Sequence, residues 1–143
     1  MARSNKKMGN DFERDLAQIL FTRKYWVHNL AQKQSGQPAD LIAVYKGHAF
    51  LIDAKVCSRD VFDKRRIEPN QHTAMSMWYL LNYEYPYFAM KTSTGIYMVS
   101  YDQMFDDDSS TIRDFRSFPT LEEWLDENDN RFKSVNIRSN SGN

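Results

Sequence analysis

The sequence predicts an α/β fold in which helices flank a mixed β-sheet, in the order αβββαββα. Two kinds of pattern lead to this fold class: apolar residues that recur every three or four positions, and short β-branched or aromatic runs that pair across tight turns. The chain has 143 residues, 41% of them hydrophobic, and no repeat or Pro-rich linker divides it. We therefore expect one domain with an ordered core over about 9–133, between a polar N-terminal arm and a polar C-terminal tail.

The first helix is predicted from Asn10 to Lys24. Asn10 suits the N-cap position, and an apolar stripe of Phe12, Leu16, Ile19 and Leu20 follows it. An aromatic and β-branched run over 25–30 predicts the first strand. The polar segment 31–38 contains Gly and Pro and predicts a loop.

Two further strands, over 40–45 and 49–56, are separated by Lys46-Gly47-His48, which predicts a tight antiparallel hairpin. Both strands are apolar at nearly every position, so they should lie in the middle of the sheet. Pro69 then opens a second helix that runs to about residue 83. Its predicted buried stripe consists of Ala74, Met77, Trp78 and Leu81.

The last third of the chain predicts a second strand pair, over 86–91 and 95–101, and then an acidic loop over 106–110. Thr120 and Glu123 have the spacing of a capping box, which predicts a short helix to about residue 128. Residues 134–143 are polar and form the predicted tail.

The composition excludes several classes of protein. No apolar run is long enough to span a bilayer, and the basic N-terminus lacks the apolar segment of a secretory signal peptide. The single cysteine excludes an internal disulfide framework and a multi-cysteine zinc site, and it suits the reducing cytoplasm. The net charge of zero conceals a division, because residues 1–70 carry a net charge of +5 and residues 71–143 a net charge of −5. We therefore expect a basic face on a neutral protein, with the acidic half facing elsewhere.

The candidate chemistry centres on Pro38-Ala39-Asp40 and Asp53-Ala54-Lys55. In the predicted hairpin, Asp40 begins one strand and Asp53 lies near the end of its antiparallel neighbour, so both carboxylates should lie at the same end of the sheet. Asp53 and Lys55 are two residues apart and leave the strand on the same face. Two carboxylates beside an ammonium group suit Mg²⁺, with Asp40 and Asp53 as ligands. The alternative is a structural ion pair between Asp53 and Lys55.

Two helical residues are further candidates. Glu13 flanks the apolar stripe of the first helix and could reach inward to the metal, although Asn10-x-x-Glu13 is also the spacing of a capping box. Gln71 lies in the first turn of the second helix, where it could orient a water or a phosphate oxygen. Its alternative role is that of an N-terminal capping glutamine after Glu68.

Four cations follow the Asp53-Ala54-Lys55 strand, namely Arg59, Lys64, Arg65 and Arg66. Their position next to a candidate phosphodiester site makes them candidates for contacts with a nucleic-acid backbone. The alternative is an ordinary solvated basic loop.

In this order, the segments 9–13, 35–40 and 53–55 together with Gln71 resemble the PD-(D/E)XK nuclease superfamily, and within it the Holliday-junction resolvases of the RecU and Hjc type. The resemblance covers roughly residues 9–99 and implies a restriction-endonuclease-like core. It implies that Asp40, Asp53 and Glu13 are metal ligands and that Lys55, Glu13 and Gln71 serve catalysis. Ser35 matches the loop serine of the archaeal enzymes and is therefore a candidate DNA contact.

The resemblance implies a Mg²⁺-dependent endonuclease, with Mn²⁺ as a substitute, that resolves four-way DNA junctions by paired symmetric cuts. It also implies a homodimer, because two equivalent strands must be cut. Two alternatives remain: a nuclease of the same superfamily with another substrate, such as a restriction-like or flap-cutting enzyme, and a non-catalytic junction-binding protein on the same fold.

Overall fold

The computed structural model describes residues 5–30 and 39–133. Ser35 and the predicted tail therefore lie outside the described residues. None of the helices within the described ranges is long and apolar enough to cross a membrane. The helices are α1 (Asn5–Thr22), α2 (Pro69–Asn82), α3 (Tyr101–Met104) and α4 (Leu121–Arg131), and the strands are β1 (Trp26–Asn29), β2 (Leu41–Tyr45), β3 (His48–Val56), β4 (Phe62–Asp63), β5 (Tyr87–Thr92), β6 (Gly95–Ser100) and β7 (Thr111–Ile112).

The main sheet has five strands in the order β1-β2-β3-β5-β6. Neighbouring strands are antiparallel except for β3 and β5, which run parallel because α2 connects them. The mixed α/β fold and the two hairpins predicted from the sequence are thus confirmed. The small second sheet of β4 and β7 has strands of only two residues, which are too short to give a strand pattern in the sequence.

The two faces of the sheet are covered by different helices. On one face Phe12, Leu16 and Leu20 of α1 pack with Trp124 and Leu125 of α4 against the strands. On the other face the sheet packs against Met75 of α2 and Met104 of α3. The second and third strands of the sheet are therefore covered on both sides, in agreement with their uninterrupted apolar sequences.

Helix α1 begins five residues earlier than predicted, at Asn5. Asn10 consequently lies inside the helix and is not its N-cap. This removes the capping-box explanation for Glu13, because a residue in the third turn of a helix cannot serve an N-cap at Asn10.

The predicted buried stripe of α2 is only partly right, because Trp78 packs against the core whereas Met77 and Leu81 are exposed. Gln71 and Met75 are the buried residues of this helix, whereas Met77 and Leu81 are 56% and 78% exposed. Apolar side chains occur all around the second half of α2, so their periodicity could not select the face that packs on the sheet.

The charge division along the sequence is partly cancelled in space. Arg23, from the basic half, forms ion pairs with three acids of α4 from the acidic half, at 3.0 Å to Glu122, 2.8 Å to Asp126 and 3.0 Å to Asp129. The acidic half therefore does not simply face away from the basic half, and part of it fastens α4 to the end of α1.

Candidate active site at the end of strand β3

Asp40 and Asp53 lie opposite each other at the open end of the β2–β3 hairpin. Leu41 pairs with Ile52, so the next pair outward brings the two aspartates together on one face. The backbone N–H of Ala54 donates a 2.7 Å hydrogen bond to Asp40 Oδ2, which fixes that carboxylate beside β3. Asp53 is only 2% exposed. The hairpin thus brings together the two carboxylates that the sequence suggested as metal ligands.

Lys55 leaves β3 on the same face as Asp53, and its Nζ lies 2.9 Å from Asp53 Oδ2. This short ion pair offsets part of the charge of the buried Asp53 carboxylate. Burial raises the pKa of Asp53 to about 7, and the neighbouring Asp40 carboxylate adds to the rise while Lys55 opposes it. The ionised form of Asp53 is therefore disfavoured in this buried position next to Asp40.

Gln71 has the capping role that its position in the sequence suggested, while its orientation of a water or a phosphate oxygen stays a prediction. Its Oε1 accepts a 3.2 Å hydrogen bond from the backbone N–H of Glu68 at the start of α2, as in a capping box. Its Nε2 donates to Asp53 Oδ1 over 3.3 Å. One amide group therefore both caps the helix and orients the buried carboxylate.

Glu13 approaches from α1, which covers the opposite face of the sheet. Its side chain is 8% exposed and lines the same cavity as Asp40, Asp53 and Lys55. Within the described ranges, however, no three acidic, histidine or cysteine side chains are grouped closely enough to hold a metal ion. Glu13 therefore shares the cavity with the two aspartates without forming a ready-made three-carboxylate site.

The cavity has a volume of about 480 Å³ and is open to solvent. Four of its lining residues are acids and two are cations, so it favours a positively charged occupant. Asp63 is the one acid of the cavity lining that was not a candidate from the sequence. Only its position directly before the basic run 64–66 could have suggested it. The charged lining residues are Glu13, Asp40, Asp53, Lys55, Asp63 and Arg66.

Of the three consecutive cations at 64–66, the structure brings only Arg66 into the cavity wall. Arg66 is held there by a 3.1 Å hydrogen bond from its Nη1 to the carbonyl of Val56. Arg65 instead binds Asp63, with Nη2 2.6 Å from Oδ2, and Lys64 pairs with Asp107 at 3.1 Å. The guanidinium group of Arg65 lowers the pKa of Asp63 to about 2, so this pair stays charged.

The fourth cation, Arg59, lies in a short turn directly after β3. Ser58 before it and Val61 two residues after it line the cavity, and Arg59 itself is exposed. No ion pair holds its guanidinium group within the part of the chain that the structure describes. Arg59 and Arg66 are therefore the predicted backbone-binding cations that remain available next to the cavity.

No family model matches this sequence, and no curated protein resembles it closely enough in sequence to count as a relative. Its fold is shared with solved structures, among them Hjc, a Holliday junction resolvase from the hyperthermophilic archaeon Archaeoglobus fulgidus. The TM-score is 0.64 at 16% sequence identity, and the match covers 82% of this chain and 95% of the archaeal chain. The chain therefore has a mixed α/β fold of the restriction-endonuclease-like class, as this resolvase does.

Proposed function

We propose that this protein is a Mg²⁺-dependent endonuclease that cuts four-way DNA junctions. The observation that carries the proposal is the convergence of Asp40, Asp53 and Lys55 in one open cavity at the end of β3. The fold shared with an archaeal junction resolvase supports the choice of substrate.

The two aspartates are chemically suited to Mg²⁺. This ion typically keeps several waters and binds proteins through one or two carboxylates, which matches the pair Asp40 and Asp53 without a third protein ligand. The pKa of Asp53 is raised first by burial and then by repulsion from Asp40, and a bound cation would oppose both effects. When bound, Mg²⁺ would polarise the scissile phosphate and make a water molecule more acidic.

The remaining residues hold and orient the reacting groups. Lys55 would position the attacking water and offset negative charge that develops on the phosphate. Gln71 keeps Asp53 oriented, and Glu13 would hold water molecules at the far wall of the cavity. Water attacks phosphorus in line, the bond to the 3′ oxygen breaks, and that oxygen takes up a proton. The products are a 5′-phosphate and a 3′-hydroxyl.

We propose contacts to the DNA backbone through Arg59 and Arg66, because both remain available beside the cavity. Lys64 and Arg65 would contribute less, since each is already paired with an aspartate. DNA would be read through its shape and backbone rather than its bases.

The active form would be a homodimer formed through α2. Met77, Leu80, Leu81 and Tyr83 are 56%, 69%, 78% and 80% exposed, and α2 contains no Asp, Glu, Lys or Arg. A surface without charges and rich in Met and aromatic residues is typical of the centre of an interface. If each side chain can expose about 200 Å², these four offer roughly 550 Å², a large share of the roughly 800 Å² that each partner buries in a stable complex.

The adjoining groove extends this face towards the sheet. It has a volume of about 370 Å³ and almost entirely apolar walls, which include Leu30, Ile42, Leu51 and Trp78. A second copy of the chain, related by a two-fold axis, would cover both surfaces and present two equivalent sites to the two strands of a junction.

The deciding experiment incubates labelled four-way junction, flap and linear duplex with the wild type in Mg²⁺, Mn²⁺ or EDTA. We expect paired symmetric nicks in the junction, which EDTA abolishes. Lys55→Ala should lower the rate by at least about 100-fold because it removes the charge beside the scissile phosphate. Lys133→Ala, an exposed lysine remote from the cavity, serves as the matched control and should cut normally.

Other outcomes of this experiment would support one of the alternative functions. Equal cutting of duplex and junction would favour a nuclease with a broader or different substrate. Junction binding without cleavage in either metal ion would favour a non-catalytic binding protein. Cleavage that survives Lys55→Ala would exclude the proposed role of this lysine.

A further inference from the structure

The turn that joins β3 to β4 has an uncommon backbone conformation. Arg59 and Asp60 both adopt left-handed backbone angles, with φ values of 59° and 54°. The side chains of non-glycine residues crowd the backbone in this region, so two such residues in succession form a strained turn. Strain of this kind persists only where surrounding contacts hold it, and it occurs preferentially at functional sites.

The contact that holds this turn comes from another part of the chain. Asp60 Oδ1 accepts a 2.8 Å hydrogen bond from the backbone N–H of Ser93, and Asp60 Oδ2 accepts one from the Ser93 hydroxyl. These bonds lower the pKa of Asp60, so the carboxylate stays ionised. Ser93 lies at the tip of the β5–β6 hairpin, next to the end of β3. We call this pair of residues the Asp60–Ser93 clamp.

The clamp fixes the segment that carries Arg59. Cys57, just before the turn, is anchored to the same hairpin by a 2.8 Å hydrogen bond from its N–H to the carbonyl of Lys91. The turn is therefore tied to the β5–β6 hairpin at both ends, with Arg59 exposed between the two anchors. A cation presented by a fixed turn loses less conformational freedom on binding a phosphate than one on a mobile loop.

We propose that Asp60 and Ser93 are positioning residues that hold Arg59 against a DNA phosphate next to the one that is cut. This inference rests on the proposed nuclease function. It assigns separate roles to adjacent residues: Arg59 makes the ionic contact, and the clamp determines where that contact is made. Neither Asp60 nor Ser93 would touch the reacting atoms.

The test compares Arg59→Ala with three changes to the clamp in the full-length protein, using a four-way junction as the probe. Asp60→Gly removes the anchor and also relieves the backbone strain, because glycine adopts left-handed angles freely. Asp60→Asn keeps an oxygen that can accept the Ser93 N–H and tolerates the same backbone angles. Ser93→Ala removes only the hydroxyl donor.

We expect Arg59→Ala to raise the KM for junction cleavage by about tenfold, with little change in kcat at saturating DNA. The plot of log binding affinity against log salt concentration should become less steep by about the amount that one phosphate contact contributes. Asp60→Gly should show the same KM increase and the same change in slope, although it relieves strain. Asp60→Asn and Ser93→Ala should be intermediate. The double variant Arg59→Ala/Asp60→Gly should be no worse than Arg59→Ala alone, because both changes remove the same contact.

Trypsin provides a readout that does not depend on DNA. It cleaves after arginine, so release of the clamp should accelerate cleavage after Arg59 in Ser93→Ala, which keeps the Arg59–Asp60 bond unchanged, relative to the wild type. Unchanged proteolysis would overturn the proposed clamp.

Three results in DNA assays would overturn the inference in different ways. If Asp60→Gly binds and cuts like the wild type while Lys55→Ala is inactive, the clamp has no role and the nuclease function stands. If the wild type neither binds nor cuts any DNA, the inference and the proposed function fall together. Additive losses in the double variant would show that Asp60 acts independently of Arg59 and would also overturn the inference.

Discussion

Asp53→Asn is expected to alter how the stability of the metal-free protein depends on pH. The carboxyl group of Asp53 is 2% exposed, and its pKa is raised from 3.8 to about 7. Burial is the largest cause, repulsion from Asp40 adds to it, and attraction to Lys55 offsets part of the rise. In the unfolded chain the group titrates near its ordinary value. Between about pH 4 and pH 7 the folded protein therefore keeps a proton on Asp53 that the unfolded chain has lost.

The free energy of unfolding of the wild type consequently falls as the pH rises through this interval, and the loss is complete above about pH 7. Each pKa unit corresponds to about 1.4 kcal/mol, so the whole shift costs at most about 4 kcal/mol. About 3 kcal/mol of this cost arises between pH 5 and pH 8. Since small domains are stable by only about 5–15 kcal/mol, the effect should be readily measurable. Asn carries no charge at either pH and avoids the cost.

The assay is urea unfolding at pH 5 and pH 8 in EDTA. The free energy of unfolding of Asp53→Asn, relative to the wild type, should be higher at pH 8 than at pH 5 by about 2–3 kcal/mol. Asp108→Asn, at an exposed position in the acidic loop, is the control and should show no such change. At pH 8, Mg²⁺ should stabilise the wild type but not Asp53→Asn. A difference between variant and wild type that is the same at both pH values would refute the reasoning, because Asp53 would then titrate as an ordinary carboxylate.

Two further substitutions test the helix that borders the site. Gln71→Ala should lower the free energy of unfolding, measured by urea unfolding, by about 1 kcal/mol because the contact with Glu68 is lost. It should also slow cleavage, because Asp53 loses the amide that donates to it over 3.3 Å. Unchanged cleavage would limit Gln71 to a capping role. Leu81→Lys should dissociate the proposed dimer in analytical ultracentrifugation, because it places a charge in the α2 face. Phe21→Lys, which alters a similarly exposed apolar residue on α1, should leave the dimer intact, and equal behaviour of the two variants would count against the α2 interface.

The predictions that came closest to the structure rest on local patterns. The turn at Lys46-Gly47 fixes the register of β2 against β3, and this register alone brings Asp40 opposite Asp53. Side chains alternate between the two faces along a strand, so Asp53 and Lys55, two residues apart on β3, lie on one face. Both inferences needed only residues close together in the sequence.

The predictions that failed depended on surroundings that the sequence does not specify locally. The spacing Asn10-x-x-Glu13 fits a helix start and a helix interior equally well, so the true start at Asn5 was missed. Apolar residues on every side of α2 hid the face that packs on the sheet. The sequence also could not indicate that Lys64 pairs with Asp107, 43 residues further along the chain, and the DNA contacts of the cations at 64–66 stay predictions.

The β2–β3 hairpin also has a consequence for how the protein folds. The carboxylate pair lies on two strands joined by a turn at Lys46-Gly47, so forming it requires closure of only a short loop. Pairing of β3 with β5 requires the whole α2 crossover to close first, which costs more chain entropy and is slower. We therefore expect the two aspartates to meet early on the folding pathway, whereas Gln71 joins them only when the crossover has closed. The carboxylate pair of the site would be assembled before the glutamine that orients it.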